Sequence, residues 1–232
     1  MNINNVIIWG DSITKGIVFD DKTNRYTVSA QSACVQTQLE TGINIINRSR
    51  MGMTVTRGHA LMEADLKAGV DCPIALIEFG GNDSDFNWKE ISMNPEGEHL
   101  SRTPLDCFEA ELRAMVKLAR SSGIQPVLAT LPPINAGKYF EFFSRGLNKK
   151  NILSWLGDIS VISRYHAMYS SAVSRIAKEE RCPLLDWRSA FAADSGNTDL
   201  FCTDGIHPSP EGQRLMAKAA TRLIRSAEKA LP

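Results

Sequence analysis

The chain has 232 residues, of which 43% are hydrophobic and 22% charged, which is typical of a globular protein and excludes a largely disordered one. Lysine plus arginine and aspartate plus glutamate each number 26, so the formal net charge is zero. No global field therefore attracts nucleic acid or anionic lipid, and we expect no nucleic-acid partner.

The sequence also argues against a membrane span and against a secreted, disulfide-rich protein. The longest uncharged stretch, 121–137, contains three prolines, unlike the roughly 20 apolar residues that cross a bilayer. The first residues show neither a basic segment nor a long apolar one, which predicts a cytoplasmic location unless a leader has been removed. Five widely spaced cysteines without a C-x-x-C pair predict neither disulfides nor a zinc site.

Short apolar runs predict five strands, at 6–9, 43–46, 74–77, 127–129 and 184–185. Weak helical patterns lie at 27–40, 54–67 and 165–180. Two helices have clear starts: Thr103 is the predicted N-cap before Pro104, and Ser209 is the predicted N-cap before Pro210. Strands that alternate with helices predict an α/β fold with a parallel sheet covered on both faces.

No repeat, low-complexity tract or flexible linker divides the chain, so we expect one domain over residues 1–232. Two connections are unusually long, at 82–102 and 131–160. The second contains five aromatic residues, Tyr139, Phe140, Phe142, Phe143 and Trp155. It is either a lid, a pocket wall or a subunit contact, or a small helical hairpin that packs these rings inward. Whether the chain forms a homo-oligomer is left open.

Polar clusters follow the predicted strands at the edge of the sheet where α/β proteins bind ligands. They are GDSIT at 10–14, RMGM at 50–53, GGND at 80–83 and DGIHP at 204–208. A serine hydroxyl attacks when a base removes its proton, and a histidine is such a base when an aspartate fixes its tautomer. Ser12, His207 and Asp204 are therefore the candidate catalytic residues.

A tetrahedral intermediate also needs hydrogen-bond donors, and the candidates are the backbone N–H groups of Ser12 and Gly52 and the side-chain amide of Asn82. Asp11 and Asp83 lie inside the same motifs, and we interpret them as carboxylates that brace loops. The remaining histidines, at positions 59, 99 and 166, lack carboxylate or metal spacing and are expected to be structural or exposed.

The order of these motifs resembles the SGNH hydrolases, also called GDSL-type esterases and lipases. GDS corresponds to Ser12, the glycine after the second strand to Gly52, GGND to Asn82, and DGIH to Asp204 and His207. The resemblance implies a flavodoxin-like three-layer α/β/α sandwich, a Ser-His-Asp triad and an oxyanion hole formed by the serine, glycine and asparagine. It also implies an acyl-enzyme intermediate, with no metal and no organic cofactor. Ile13 stands where the family name has leucine.

Other interpretations explain parts of the pattern. Residues 10–16 could form a phosphate-binding turn, but their spacing does not match G-x-x-x-x-G-K-[ST]. The S-x-x-K at 12–15 is shared with penicillin-binding acyltransferases, yet the chain has no K-T-G triplet. The main alternative is an inactive module that binds carbohydrate or nucleotide. Otherwise we expect a small-molecule ester substrate, for example an acylated carbohydrate or lipid.

Overall fold

The computed structural model describes residues 4–194 and 199–229. Within these two ranges the strands and helices follow in the order β1 (Asn5–Gly10), α1 (Ser12–Lys15), β2 (Ile17–Asp20), β3 (Arg25–Val28), α2 (Ala33–Thr41), β4 (Asn44–Asn47), α3 (Val55–Lys67), β5 (Ile74–Glu78), α4 (Trp88–Met93), α5 (Leu105–Ser121), β6 (Gln125–Ala129), α6 (Ala136–Phe143), α7 (Lys149–Leu156), α8 (Ser160–Glu179), β7 (Leu184–Leu185), α9 (Trp187–Ala192) and α10 (Pro210–Lys229).

The main sheet is parallel, with strand order β4-β1-β5-β6-β7. Alternate residues of a strand point to opposite faces. Ile7 and Trp9 of β1 therefore pack with α3, α5 and α8, whereas Ile8 packs with α2, α9 and α10. Helices cover both faces, which confirms the predicted flavodoxin-like α/β/α sandwich and its five parallel strands.

The predicted helix at 27–40 is wrong in its first part. β2 and β3 pair antiparallel as a hairpin, and α2 begins only at Ala33, after the N-cap Ser32. The hairpin is favoured because aromatic and β-branched residues prefer strands. In addition, the cross-strand pair Phe19 and Tyr26 stacks edge to face, with ring centroids 5.1 Å apart.

The connection at 131–160 contains the two helices α6 and α7, and its aromatic side chains pack inward as the helical alternative predicts. Phe140 is buried among Phe86, Trp88 and neighbouring apolar residues. The rings of Trp88 and Phe143 stack face to face at 4.3 Å. Because Trp88 belongs to α4, the two long connections form one small core beside the sheet.

The helix starts follow the sequence closely. α10 begins at Pro210, and the hydroxyl of Ser209 accepts the N–H of Gly212 at 3.2 Å. α5 begins one residue later than predicted, at Leu105. Thr103 does not cap it: the N-cap position is occupied by Pro104, and no described side chain donates or accepts a capping hydrogen bond there. None of the helices in the described ranges is long and apolar enough to cross a bilayer.

A glycine inside α3 tests how tightly this helix packs on the sheet. Alanine is normally better than glycine in a helix by about 1 kcal/mol. At Gly58, however, a Cβ would lie 2.2 Å from Cζ of the buried Phe79 ring. We expect Gly58→Ala to lower the free energy of unfolding in urea by about 1–3 kcal/mol, because the core has no room for the methyl group.

Gly137→Ala in α6 is the matched control. A Cβ there would meet only Asn135 Oδ1, at an ordinary 3.6 Å, so this variant should be neutral or slightly more stable. If both glycine variants had the same stability, the packing of Phe79 on α3 would not restrict position 58.

Candidate active site

The nucleophile candidate lies in a tight strand-to-helix turn. Gly10 ends β1, and the Asp11 carboxylate accepts the N–H of Ile13 at 2.8 Å, so α1 begins at Ser12. A Cβ at position 10 would lie 2.1 Å from Thr14 Oγ1. Only glycine fits there, and the turn brings Ser12 to the carboxyl edge of the sheet.

The structure brings the three candidate catalytic residues into one hydrogen-bonded line. Ser12 Oγ lies 2.9 Å from His207 Nε2, and His207 Nδ1 lies 2.5 Å from Asp204 Oδ2. All three are buried, and Asp204 is completely so. The other oxygen of Asp204 accepts the backbone N–H groups of Ile206 and His207, each at 3.1 Å. The carboxylate is thus held from two sides.

The charge state of Asp204 fixes the direction of these hydrogen bonds. Burial acts to raise the pKa of Asp204, but the hydrogen bonds and charge of His207 outweigh it and bring the pKa below its usual value. An ionised carboxylate only accepts hydrogen bonds, so Nδ1 of His207 carries the proton. In the neutral form of the imidazole, Nε2 has a lone pair that faces the hydroxyl of Ser12.

The aromatic ring of Tyr26 packs on the imidazole of His207, and further rings pack beside Tyr26. The ring of Tyr26 lies 5.1 Å from that of His207, and Phe142 of α6 packs edge to face on Phe19 of β2 at 4.9 Å. We did not predict this packing from the sequence. The alternation in the hairpin, with Tyr26 next to β-branched residues, is the signal that could have revealed it.

Asn82, predicted as an oxyanion donor, lines the same cavity as Ser12. Its side-chain amide donates to Asp11 Oδ2 at 2.9 Å and to the carbonyl of Met53 at 3.2 Å. Gly52 directly precedes Met53 and has a left-handed φ of 71°, and its N–H donates to no other atom of the described residues. The loops after β1, β4 and β5 therefore meet at Asn82.

The other two glycines near position 52 have structural roles. Gly42 is the left-handed C-cap of α2, with φ 74°. Gly58 lies inside α3 against a buried ring, as described above. Gly52 lies in the loop itself, directly before Met53, whose carbonyl accepts the Asn82 amide.

Asp83 and Asp85 brace the loop after β5. Both carboxylate oxygens of Asp83 accept the N–H of Val55 at the start of α3, at 3.0 and 3.2 Å, and burial raises the pKa of Asp83 to about 6. Asp85 accepts the Tyr139 hydroxyl and the Trp88 indole N–H, both at 2.8 Å. These contacts confirm the predicted bracing role of Asp83 and Asp11.

The sequence analysis missed Glu78, the last residue of β5. It is completely buried, and its Oε2 accepts the hydroxyl of Thr14 at 3.2 Å, whereas Oε1 has no partner. Burial, and next the charge of Asp11, raise the pKa of Glu78 well above its usual value, which favours the protonated, uncharged carboxyl. An acidic residue that closes the apolar run IALIE was the available signal.

The cavity beside Ser12 has a volume of about 70 Å³. Its polar wall includes Asp11, Glu78 and Asn82, and its apolar wall includes Trp88, Leu131, Pro132, Ile134, Ile162 and Ile206, together with Tyr139 and His166. No group of three or more His, Cys, Asp or Glu side chains within residues 4–194 and 199–229 is placed to hold a metal ion.

Comparisons with a family model, with related sequences and with a solved structure agree with the resemblance that the motifs indicate. The model of the GDSL-like Lipase/Acylhydrolase family matches residues 8–215. The chain is 26% identical to an isoamyl acetate-hydrolyzing esterase 1 homolog from Bos taurus, over 98% of this chain and 84% of that protein. It is 24% identical to the isoamyl acetate-hydrolyzing esterase of Saccharomyces cerevisiae, over 97% and 88%. The fold matches a putative lipolytic G-D-S-L protein from Desulfitobacterium hafniense, with a TM-score of 0.63, 22% identity and coverage of 95% and 99%.

The raised pKa of Glu78 predicts a specific pH dependence of stability. Its pKa is higher in the folded chain than the 4.5 of an ordinary glutamate, so above that pH the folded state binds more protons than the unfolded state. Stability is then lost as the pH rises. We expect the free energy of unfolding of Glu78→Gln, relative to the unsubstituted chain, to increase from pH 5 to pH 8, because glutamine stays neutral.

Urea unfolding at several pH values measures this difference. Glu63→Gln in α3 is the control, because that glutamate is exposed, and its difference from the unsubstituted chain should stay flat. A difference for Glu78→Gln that is equally flat would mean that Glu78 ionises normally in the folded protein.

Proposed function

Because the chain belongs to the GDSL-like lipase/acylhydrolase family and is an ester hydrolase, we propose that it cleaves carboxylic esters with Ser12 as the nucleophile, through an acyl-enzyme. The observation that carries this proposal is the continuous hydrogen-bonded line from Ser12 through His207 to Asp204. A serine, a base that faces its hydroxyl and a buried carboxylate behind the base are the parts that acyl transfer requires.

The chemistry follows from the direction of these hydrogen bonds. His207 Nε2 takes the proton of Ser12 as Oγ attacks the ester carbonyl carbon, and the imidazolium then gives this proton to the departing alcohol. The Asp204 carboxylate stabilises the imidazolium. A water molecule next attacks the acyl-Ser12 ester, with His207 again as the base, and the imidazolium returns the proton to Ser12 Oγ as the carboxylic acid leaves. Each step conserves the protons of the site.

The oxyanion that forms in both steps needs donors, and we propose the Ser12 N–H, the Gly52 N–H and the Asn82 amide. Ser12 is the first residue of α1, where backbone N–H groups have no acceptor within the helix. The Gly52 N–H has no partner in the described residues. The Asn82 amide has two N–H groups: the one on Asp11 holds the side chain in place, and the one that donates to the Met53 carbonyl at 3.2 Å is the one that would turn to the oxyanion.

The proposed substrates are small esters with a short acyl group. The small size of the cavity favours this class, and two curated relatives carry the name of an acetate-hydrolysing esterase. A single domain over residues 1–232, a cytoplasmic location and catalysis without a cofactor stay predictions.

The first test is the serine itself. We expect Ser12→Ala to lower kcat/KM for an aryl acetate by about a thousandfold or more while the melting temperature stays close to that of the unsubstituted chain. Ser84 lies in the same cavity, so Ser84→Ala serves as the control and should keep most of the activity. A fluorophosphonate probe should label Ser12, and a label mapped to another residue would refute the assignment.

The second test concerns Asn82. We expect Asn82→Ala to lower kcat by about a hundredfold with KM little changed, because one oxyanion donor is lost. Asn82→Asp should be worse, because it replaces the donor by an acceptor next to the buried Asp11 carboxylate. Circular dichroism checks that both variants fold. An increase in KM with kcat intact would make Asn82 a contact of the ground state only.

A further inference from the structure

One wall of the cavity beside Ser12 contains a buried imidazole that the proposed mechanism does not use. His166 belongs to α8, is 6% exposed and lines this cavity. Its Nδ1 has no hydrogen-bond partner in the described residues. Two other histidines do have partners: His59 pairs with Glu111 at 2.6 Å, and His99 lies 2.7 Å from the carbonyl of Asn94.

An unsatisfied polar atom is costly in such a place. A buried donor or acceptor without a partner costs about 1–3 kcal/mol. The wall near His166 also contains Leu131, Ile134 and Ile162, so a leucine at position 166 would bury apolar surface without this cost. Nδ1 itself is enclosed by protein atoms, so the ring nitrogen that a ligand in the cavity would reach is Nε2, which has no hydrogen-bond partner among the described residues either.

The surroundings of His166 define the chemistry of that partner. Burial, and next the positive charge of Arg188, lower the pKa of His166 to about 3, so the imidazole is neutral at neutral pH and has one donor and one acceptor. Asp11 and Asp85 line the same cavity and would repel a carboxylate. A hydroxyl group is uncharged, and it both donates and accepts a hydrogen bond.

We propose that His166 binds a hydroxyl group of the substrate, so that the preferred substrates are short esters that carry a free hydroxyl near the ester bond, such as partly acylated polyols. This inference rests on the proposed function, because it places the ester carbonyl at Ser12. It makes His166 a specificity-determining residue, which contacts the substrate but takes no part in proton transfer at the serine.

Two pairs of esters test the proposal, because each pair replaces one methyl group by a hydroxyl of similar size. On the alcohol side the pair is propyl acetate and 2-hydroxyethyl acetate, and on the acyl side it is ethyl propanoate and ethyl glycolate. The hydroxyl also changes the intrinsic reactivity of the ester. The quantity to measure is therefore the ratio of kcat/KM within a pair, compared between the unsubstituted chain and its variants.

We expect His166→Leu to lower the hydroxyl-to-methyl ratio by about fivefold to tenfold in one of the two pairs, which is the effect of one lost hydrogen bond. The affected pair identifies the side of the ester that faces His166. His166→Gln retains a donor and an acceptor and should keep part of the preference. Ile162→Val changes the same helix and the same cavity, and should affect both members of a pair equally.

Stability gives a second readout. His166→Leu removes an unsatisfied polar atom, so its melting temperature should equal or exceed that of the unsubstituted chain.

A third readout needs no change at His166: in the Ser12→Ala protein, the NMR signals of the His166 ring nitrogens should shift on addition of one hydroxylated ester. The ester of the same pair that carries a methyl group in place of the hydroxyl should leave the chemical shifts of these ring nitrogens unchanged.

The outcomes separate this inference from the proposed function. If the unsubstituted chain hydrolyses neither an aryl acetate nor any of the four esters, the proposed function fails. If it hydrolyses them but both ratios are the same in folded His166→Leu, and the hydroxylated esters do not shift the His166 signals, the proposed function stands and the hydroxyl subsite is overturned.

Discussion

The geometry of the active site depends on one buried carboxylate, that of Asp11. One oxygen accepts the N–H of Ile13 and so fixes the turn in which Ser12 begins α1, and the other accepts the amide of Asn82. The proposed nucleophile and one proposed oxyanion donor are thus positioned by the same side chain, although they lie in loops after different strands.

The same physical solution recurs around the carboxyl edge of the sheet. Chain segments that leave a sheet have backbone N–H groups without ladder partners, and buried groups of this kind need acceptors. The carboxylate of Asp83 accepts a backbone N–H at the start of α3, and the carboxylate of Asp204 accepts a backbone N–H in the turn before α10. The cost is a concentration of acidic groups, which explains why the pKa of Glu78 rises so far: burial and the neighbouring Asp11 both oppose its charge.

Much of this arrangement could be predicted from the sequence, because local motifs mark strand ends and the ends of parallel strands converge. Ser12 and His207 are 195 residues apart, and the fold alone brings them to 2.9 Å. The β2–β3 hairpin could not be separated from α2 by periodicity. His166 was expected to be structural or exposed, and nothing local marks it otherwise. It lies in the apolar stripe of a helix, and only the tertiary contacts of α8 with β6 place it beside a cavity.

Chemistry and recognition therefore rest on different parts of the molecule. The line from Ser12 to Asp204 is held by the loops of the sheet, whereas Tyr26 of the hairpin packs on His207 and Phe142 of α6 packs behind Tyr26. Exclusion of water by these rings strengthens the hydrogen bond between imidazole and carboxylate, because the local dielectric is low. Residues of the long connections and of α8 form the opposite wall, so they can change which ester fits while the position of the nucleophile stays fixed.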